Sequence, residues 1–245
     1  MAREDSRVGG EVDSIGVAEA RSALAWWLEA GVDVAVQEES RNWLRPAPQH
    51  APMVSEPAPA ANVSQPSHQT LAELQEWLAS SAQLPFASAS ARRILPQGPQ
   101  NAAILLLADS PSLEDFAAEQ PIGGEAWELA KRMLAAIGID VADAYTASLS
   151  CFHSPGVRMS PADRETCAEI ARSHIRLASP KRLLLLGDGP AQALLGKSLL
   201  EARGHVHKIE GVRTVATFHP RHLIKRPLDK SLAWKDLLLL MEDES

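Results

Sequence analysis

The chain has 245 residues, 45% apolar and 22% charged, the proportions of a protein that buries one core and has room for an appendage. No apolar run nears the ~20 residues that cross a membrane. Residues 1–13 carry no secretory pattern, and two cysteines exclude a disulfide scaffold or a four-cysteine metal site, so a cytoplasmic setting is expected.

The net charge of −7 is unevenly divided. Residues 176–235 hold twelve Lys/Arg against four acids, near +8, and the remainder carries about −15. A phosphate-bearing partner would sit on such a segment, although scattered solvated side chains would read the same way. Ser14 to Ala30 reads as a short amphipathic helix, with Leu24, Trp27 and Leu28 at helical spacing before Gly31. Six prolines between 46 and 66 then mark a linker. The expected organisation is an N-terminal helical segment over 1–45, a Pro/Ala-rich linker over 46–69 and a main domain over 70–245. Trp26, Trp27 and Trp43 suit either packing on that domain or a protein partner docked through the N-terminal helix.

Thr70 and Glu73 have the spacing of a capping box ahead of a helix with Leu71, Leu74, Trp77 and Leu78 on one face. Ala102–Ala108 is a continuous apolar strand ending at Asp109-Ser110-Pro111. A helix with Trp127, Ala130, Leu134 and Ile137 on one face stops at Gly138, and Asp143–Leu149 is a weaker strand. Pro161 opens a helix with a Cys167, Ile170, Ala171, His174 and Ile175 stripe. Lys181–Gly187 is a second apolar strand, followed by a helix through Leu194 and Leu200. Val212–Phe218 alternates up to His219-Pro220, and Asp229 is placed to cap a last helix. Continuous apolar strands alternating with amphipathic helices predict an α/β fold, a three-layer α/β/α sandwich around a mostly parallel sheet. Ligands of such sheets bind at the carboxyl ends of the strands, here Asp109-Ser110-Pro111, Thr146–Cys151, Gly187-Asp188-Gly189 and His219-Pro220.

Gly187-x-Gly189 is too sparse for a nucleotide fingerprint and reads as a tight turn. His205-x-His207 lacks a third ligand at metal spacing, so no metal site is expected there. Asp109 is either a cap or an acid at the sheet edge, and His219 either a strand-end cap or its partner in a reaction centre.

Several segments, in order from about Leu71 to Met241, resemble the uracil-DNA glycosylase superfamily, and most closely its bacterial branch that carries an iron–sulfur cluster. Leu107-Ala108-Asp109-Ser110-Pro111-Ser112-Leu113-Glu114-Asp115 stands where that branch has G-E-x-P-G and two acids. Pro121-Ile122-Gly123-Gly124 stands at P-F-V-G, and Ser179-Pro180-Lys181 with Leu186-Gly187-Asp188 resembles P-K-x-x-x-x-L-G. Thr217 to Pro227 resembles T-x-H-P-x-x-L-L-R-x-P, and Trp234-Lys235-Asp236-Leu237 resembles W-x-D-L.

The resemblance implies that Asp109 activates the attacking water and His219 stabilises the departing base. It places Ser110, Pro111, Ile122, Ala147 and Ser148 around the substrate, with Thr146 close by. Arg221, His222, Lys225 and Arg226 fall on the DNA, and Leu223 is either the wedge that fills the vacated stack or a core leucine. The sequence departs from the branch at several of these positions. Ile122 replaces the stacking phenylalanine, Ala147 the base-reading asparagine, and Ala108 and Ser112 the flanking glycines. Cys151 and Cys167 match the last two cluster ligands, while Ala79 and Ala82 stand at the first two, so no iron–sulfur cluster or other cofactor is expected. Three functions remain open: an atypical DNA glycosylase acting on a deaminated or damaged base, a catalytically degenerate module that binds DNA or a protein, and a small-molecule hydrolase.

Overall fold

The computed structural model of the chain describes residues 21–22, 68–88, 91–153 and 159–242. The expected N-terminal helix, apart from helical Arg21 and Ser22, and nearly all of the expected linker lie outside them. The unit described here runs from Gln65 to Ser245. It opens with α1 (Leu71–Ser80), which buries Leu71, Leu74 and Leu78. Thr70 caps it by accepting the Glu73 N–H at 3.2 Å. The Glu73 carboxylate accepts the Gln69 N–H at 2.9 Å, so the expected capping box closes one residue early.

Five strands form one sheet in the order β2-β1-β3-β5-β4. β1 (Ile104–Ala108), β2 (Ala144–Ser148), β3 (Arg182–Leu186) and β5 (Val212–Thr217) are parallel. β4 (His207–Ile209) is antiparallel at one edge, joined to β5 through Glu210 and Gly211, both at positive φ as a two-residue hairpin demands. The other edge is covered where Gln97 exchanges two backbone hydrogen bonds with Thr146 in β2. That covering, with β1 on its other side, makes the weak strand signal of β2 a buried strand.

The side chains alternate between two cores. Leu105, Leu107, Tyr145, Ala147, Leu183, Leu185 and Ala216 pack with Cys167, Ala171 and Ile175 of α4 (Pro161–Ala178). Ile104, Leu106, Ala108, Leu184, Leu186 and Val215 pack with Ala126 and Leu134 of α3 (Gly124–Ala136) and with Leu237 and Leu240 of α8 (Lys230–Met241). This is the three-layer arrangement expected of apolar parallel strands covered on both faces. Ala147, Leu107, Leu185 and Ala216 stand level across the sheet. The four loops leaving the carboxyl ends therefore start at one height: Asp109 follows β1, Leu149 follows β2, Gly187 follows β3 and Phe218-His219 follows β5.

α2 (Leu113–Ala118), α5 (Asp188–Leu195), α6 (Leu199–Ala202) and α7 (Pro220–Lys225) rise from or beside these loops. Asp229 occupies the N-cap position of α8 without capping it; its carboxylate pairs with His222 Nε2 at 2.6 Å. The link between α8 and the sheet is Asp236, a buried carboxylate that accepts from Thr217 Oγ1 at 2.8 Å and Arg203 Nη2 at 2.9 Å. Arg203 in turn lies over the Phe218 ring, 4.9 Å from its centroid.

Replacing Asp236 by alanine strands a mostly buried guanidinium and a buried hydroxyl. Breaking such a pair costs about 3–5 kcal/mol. Urea denaturation of Asp236→Ala is expected to show that loss as a lower midpoint with an unchanged slope; a change under 1 kcal/mol would mean that α8 is held by its apolar face alone.

Candidate active site at the carboxyl edge of the sheet

Asp109 is the first residue beyond β1, and its carboxyl opens into a cleft of about 240 Å³ lined also by Phe86, Ser110, Leu149, Met159, Arg164, Asp188, Gly189 and Gln192. Ser112, not Asp109, caps the following helix, so the cap reading of Asp109 falls away. Gly189 lies so close to the Asp109 carboxyl that any Cβ there would collide with it. The absence of a side chain is thus what lets the loops after β1 and β3 meet. Asp109 is solvent-exposed as a residue. Enough protein surrounds its carboxyl for desolvation to raise its pKa above 3.8, against the Ser110 backbone N–H; Asp188 adds to the rise and Arg164 opposes it.

His219 follows β5 and is the N-cap of α7: its Nδ1 accepts the Arg221 backbone N–H at 3.1 Å. That bond assigns the remaining proton of the neutral ring to Nε2. Burial pulls the His219 pKa down to about 4, Arg221 adds to the fall, and Asp115 opposes it. The imidazole is therefore neutral at physiological pH and offers one N–H. Strand-end capping and an electrophilic role are compatible here, because the cap uses only one ring nitrogen.

The loop carrying His219 is anchored by Asp115, a buried carboxylate of α2. Asp115 accepts the Ser112 N–H and hydroxyl (2.7 and 2.8 Å), the Gly123 N–H (2.6 Å) and Arg221 Nη2 at both oxygens (3.0 and 2.8 Å). Arg221 Nη2 also donates to Ser112 Oγ at 2.7 Å.

Asp109 and His219 follow the two strands that flank β3, so their backbones start about 10 Å apart, two strand spacings. Gly187 lies between them; a Cβ at Gly187 would sit 3.8 Å from His219 Cβ. The two side chains bracket the Gly187–Gly189 turn, but His219 is not part of the lining of the Asp109 cleft.

Of the other residues expected around the substrate, only Ser110 lines that cleft. Ile122 and Ala147 are core side chains in different clusters on opposite faces of the sheet, so neither meets a ligand at the cleft. Ser148 lines a separate pocket of about 20 Å³ with Cys151, Cys167 and His174. Pro111 turns its carbonyl to His153 Nδ1–H at 2.7 Å. Leu223 is a core leucine and cannot act as a wedge without leaving the interior. Arg221 gives its Nη2 to Asp115 and Ser112, so the guanidinium expected on phosphate is already tied at one nitrogen to the protein. His222 stacks on Phe218 at 4.7 Å between centroids and pairs with Asp229, which ties it inward as well. Lys225 and Arg226 are exposed.

The cysteines do not fit an iron–sulfur cluster. Cys151 and Cys167 are buried free thiols, two donors where a four-iron cluster is held by four. Ala79 and Ala82 are exposed and bring no donor. His205 and His207 bond the backbone carbonyls of Arg203 and Ala202, and no cluster of three metal-ligating side chains occurs among the described residues.

Sequence reasoning missed Phe86, Met159, Arg164 and Gln192 as lining residues and reached Leu149, Asp188 and Gly189 only as members of strand-end segments. Asp188 and Gly189 lay within a strand-end segment already singled out, and their link to Asp109 is readable only once β1 and β3 are neighbours. Phe86, Arg164 and Gln192 come from three distant segments with no shared motif. Phe86 alone carries a local sign of function, a left-handed backbone at φ 68°, which costs a bulky residue about 1–2 kcal/mol.

In comparison with known proteins, residues 95–238 match the sequence profile of the Uracil DNA glycosylase superfamily. The chain is also 25% identical over 147 residues to a DNA polymerase of Bacillus phage SP01, a stretch that covers 59% of this chain and 16% of that polymerase.

Two measurements check the electrostatics of this edge. His174 and His219 both titrate at about 4 in the folded chain against an ordinary 6.5, because burial disfavours the charged ring. Between those values the unfolded chain binds protons that the folded chain does not. Stability is therefore expected to fall as pH drops from about 6.5 to about 4, with a share on the order of 3 kcal/mol from His174. His174→Gln, which keeps a partner for the Tyr145 hydroxyl, should flatten the urea-midpoint profile by that share. Asp115→Asn removes the charge that holds Arg221, and exchange of the Arg221 amide hydrogen should quicken at least tenfold; unchanged exchange would show that the cap on His219 does not depend on the clamp.

Proposed function

The chain belongs to the uracil DNA glycosylase superfamily, and on that premise we propose that it hydrolyses the N-glycosidic bond of a deaminated or damaged, uracil-like base in DNA, without a cofactor. A DNA glycosylase-like function is what the family supports, and it takes the ground from a small-molecule hydrolase unrelated to DNA. The observation that carries the reading is Asp109: a carboxyl at the sheet edge, open to a cleft, with a raised pKa and a neutral imidazole donor on the loop across Gly187.

The chemistry asks for little more. An extruded nucleotide presents C1′ to a water molecule, and Asp109 takes a proton from that water as its oxygen bonds to C1′. The C1′–N bond breaks, and its electron pair leaves on the base, where a charge-matched N–H stabilises the developing anion. His219 Nε2–H, outside the lining of the Asp109 cleft but on the far side of the Gly187 turn, is the donor assigned to that task, reached by the part of the base that extends over the turn. A neutral imidazole supplies this hydrogen bond without drawing a phosphate into the site. Aspartate is one methylene shorter than the glutamate of the resembling branch, and a misplacement near 1 Å costs ~10²-fold, so turnover is expected to be slow. Lys225 and Arg226, exposed beside the His219 loop, provide the phosphate contacts that hold the strand.

One observation favours a second reading. Ile122 and Ala147, at the positions that stack on and read the base in the resembling branch, are apolar core residues. A chain that had lost base chemistry and kept DNA binding would look the same at those two positions.

Single-turnover assays on oligonucleotides containing uracil, hypoxanthine or xanthine separate the two. Base release is expected from at least one, with a loss of 100-fold or more in Asp109→Asn and an acid limb above the ordinary 3.8 of an aspartate, because Asp109 acts only when ionised. All three substrates intact at enzyme excess, with the DNA still bound, would establish the second reading. Lys225→Ala and Arg226→Ala are each expected to weaken binding evenly across sequences and to lower the salt slope by about one.

A further inference from the structure

We propose that the Asp109 cleft is where this chain holds an extruded base, and that Phe86 supplies the aromatic face on which the base lies. This rests on the reading of the chain as a protein that takes a base out of DNA. With Ile122 and Ala147 closed inside the two cores, the stacking and edge-reading roles have no occupant at those positions. The cleft beside Asp109 offers a replacement for each.

Phe86 forms part of the cleft wall and packs on the Leu74, Leu78, Leu84, Phe152 cluster, which steadies the ring from the protein side. Its backbone is left-handed at φ 68°. The other described non-glycine residues at positive φ are Asn101, Glu119, Ser179 and Glu210, all polar turn residues. Phe86 alone is bulky and apolar. A glycine would adopt this conformation unstrained, and a large side chain retained in a strained backbone at a cleft marks a place where the ring itself has a task.

Gln192, whose amide N–H goes to Asp188, and Ser110 with its hydroxyl are both lining residues of the cleft. Those two groups suit the N–H and C=O edge of a planar base. Charge decides between a base and a phosphate as the occupant. The lining carries Asp109 and Asp188 against Arg164, a formal −1, which repels a phosphate and leaves a neutral ring unaffected. Size agrees: at about 240 Å³ the cleft is smaller than the ~300–1,000 Å³ of sites for drug-sized ligands, and suits one heteroaromatic ring system.

The test measures affinity by fluorescence anisotropy for duplexes holding one uracil, hypoxanthine or xanthine, and for the same duplex with a tetrahydrofuran residue in its place. Phe86→Gly is expected to weaken binding of at least one base-bearing duplex about tenfold, the scale of base–aromatic stacking. Binding of the tetrahydrofuran duplex should stay within twofold. The melting temperature of the variant should fall only modestly, since relief of the left-handed backbone offsets part of the packing lost against the Leu74–Phe152 cluster. Phe86→Trp should bind as the wild type does. An equal loss on all duplexes, or no loss on any, overturns the proposal. Base dependence that vanishes in Phe86→Gly while no substrate is cleaved would sink the hydrolytic reading and leave this site standing. Base release and base affinity that both ignore Phe86→Gly would sink the site and leave hydrolysis standing.

Discussion

A buried carboxylate organises the edge of this sheet. Asp115 gathers the loop after β1 through Ser112, the turn before α3 through Gly123, and the loop after β5 through Arg221. A charge removed from water is tolerable only when donors surround it, so the three segments are fixed relative to one another by the need to satisfy one side chain. Gly123 shows how tight this is: a Cβ there would meet the Asp115 Cα at 2.9 Å and the Ala118 Cβ at 2.8 Å. The clamp reaches His219 through Arg221, whose side chain is held by Asp115 and whose backbone N–H is accepted by the His219 ring. The imidazole owes its tautomer and part of its lowered pKa to Arg221, which Asp115 holds in place even though the Asp115 charge itself works against that fall.

The other half of the site depends on what is missing. Gly189 lets the Asp109 carboxyl lie against the loop after β3, and Gly187 separates Asp109 from His219 with no side chain between them. The same loop carries Asp188, which accepts the Leu199 N–H at 2.8 Å as well as the Gln192 amide. Its charge keeps the surroundings of Asp109 acidic enough to raise the Asp109 pKa further. A carboxyl made more basic than usual by its neighbours is better matched to proton abstraction than an ordinary aspartate.

The two cores close over two of the positions that the resemblance assigns to the substrate. Filling one face with Ile122 and the other with Ala147 gives apolar strands a continuous, dry packing at both positions. Opening is left on the Asp109 side, where Phe86, Arg164, Asp188 and Gln192 converge. A fold of this kind can thus keep its strands in place while the lining of its strand-end clefts varies, because the strands set where the loops begin and the loops set the shape of the space between them.

Much of the fold was written in local pattern. Apolar runs with periods of strand and helix, Ser160-Pro161 at a helix start and glycines at turns predict the α/β sandwich. The ordered motifs from Leu107 to Leu237 predict the family, and their strand-end positions bring Asp109 and His219 to one edge. These features depend on near neighbours in sequence, whose energetics a single segment carries. The lining of the cleft, the burial of Leu223, the capture of Arg221 by Asp115 and the diversion of Asp229 from its helix to His222 were decided only by tertiary packing. Each is a contest for one partner between groups from distant segments, and its outcome depends on distances that exist only after the sheet has closed.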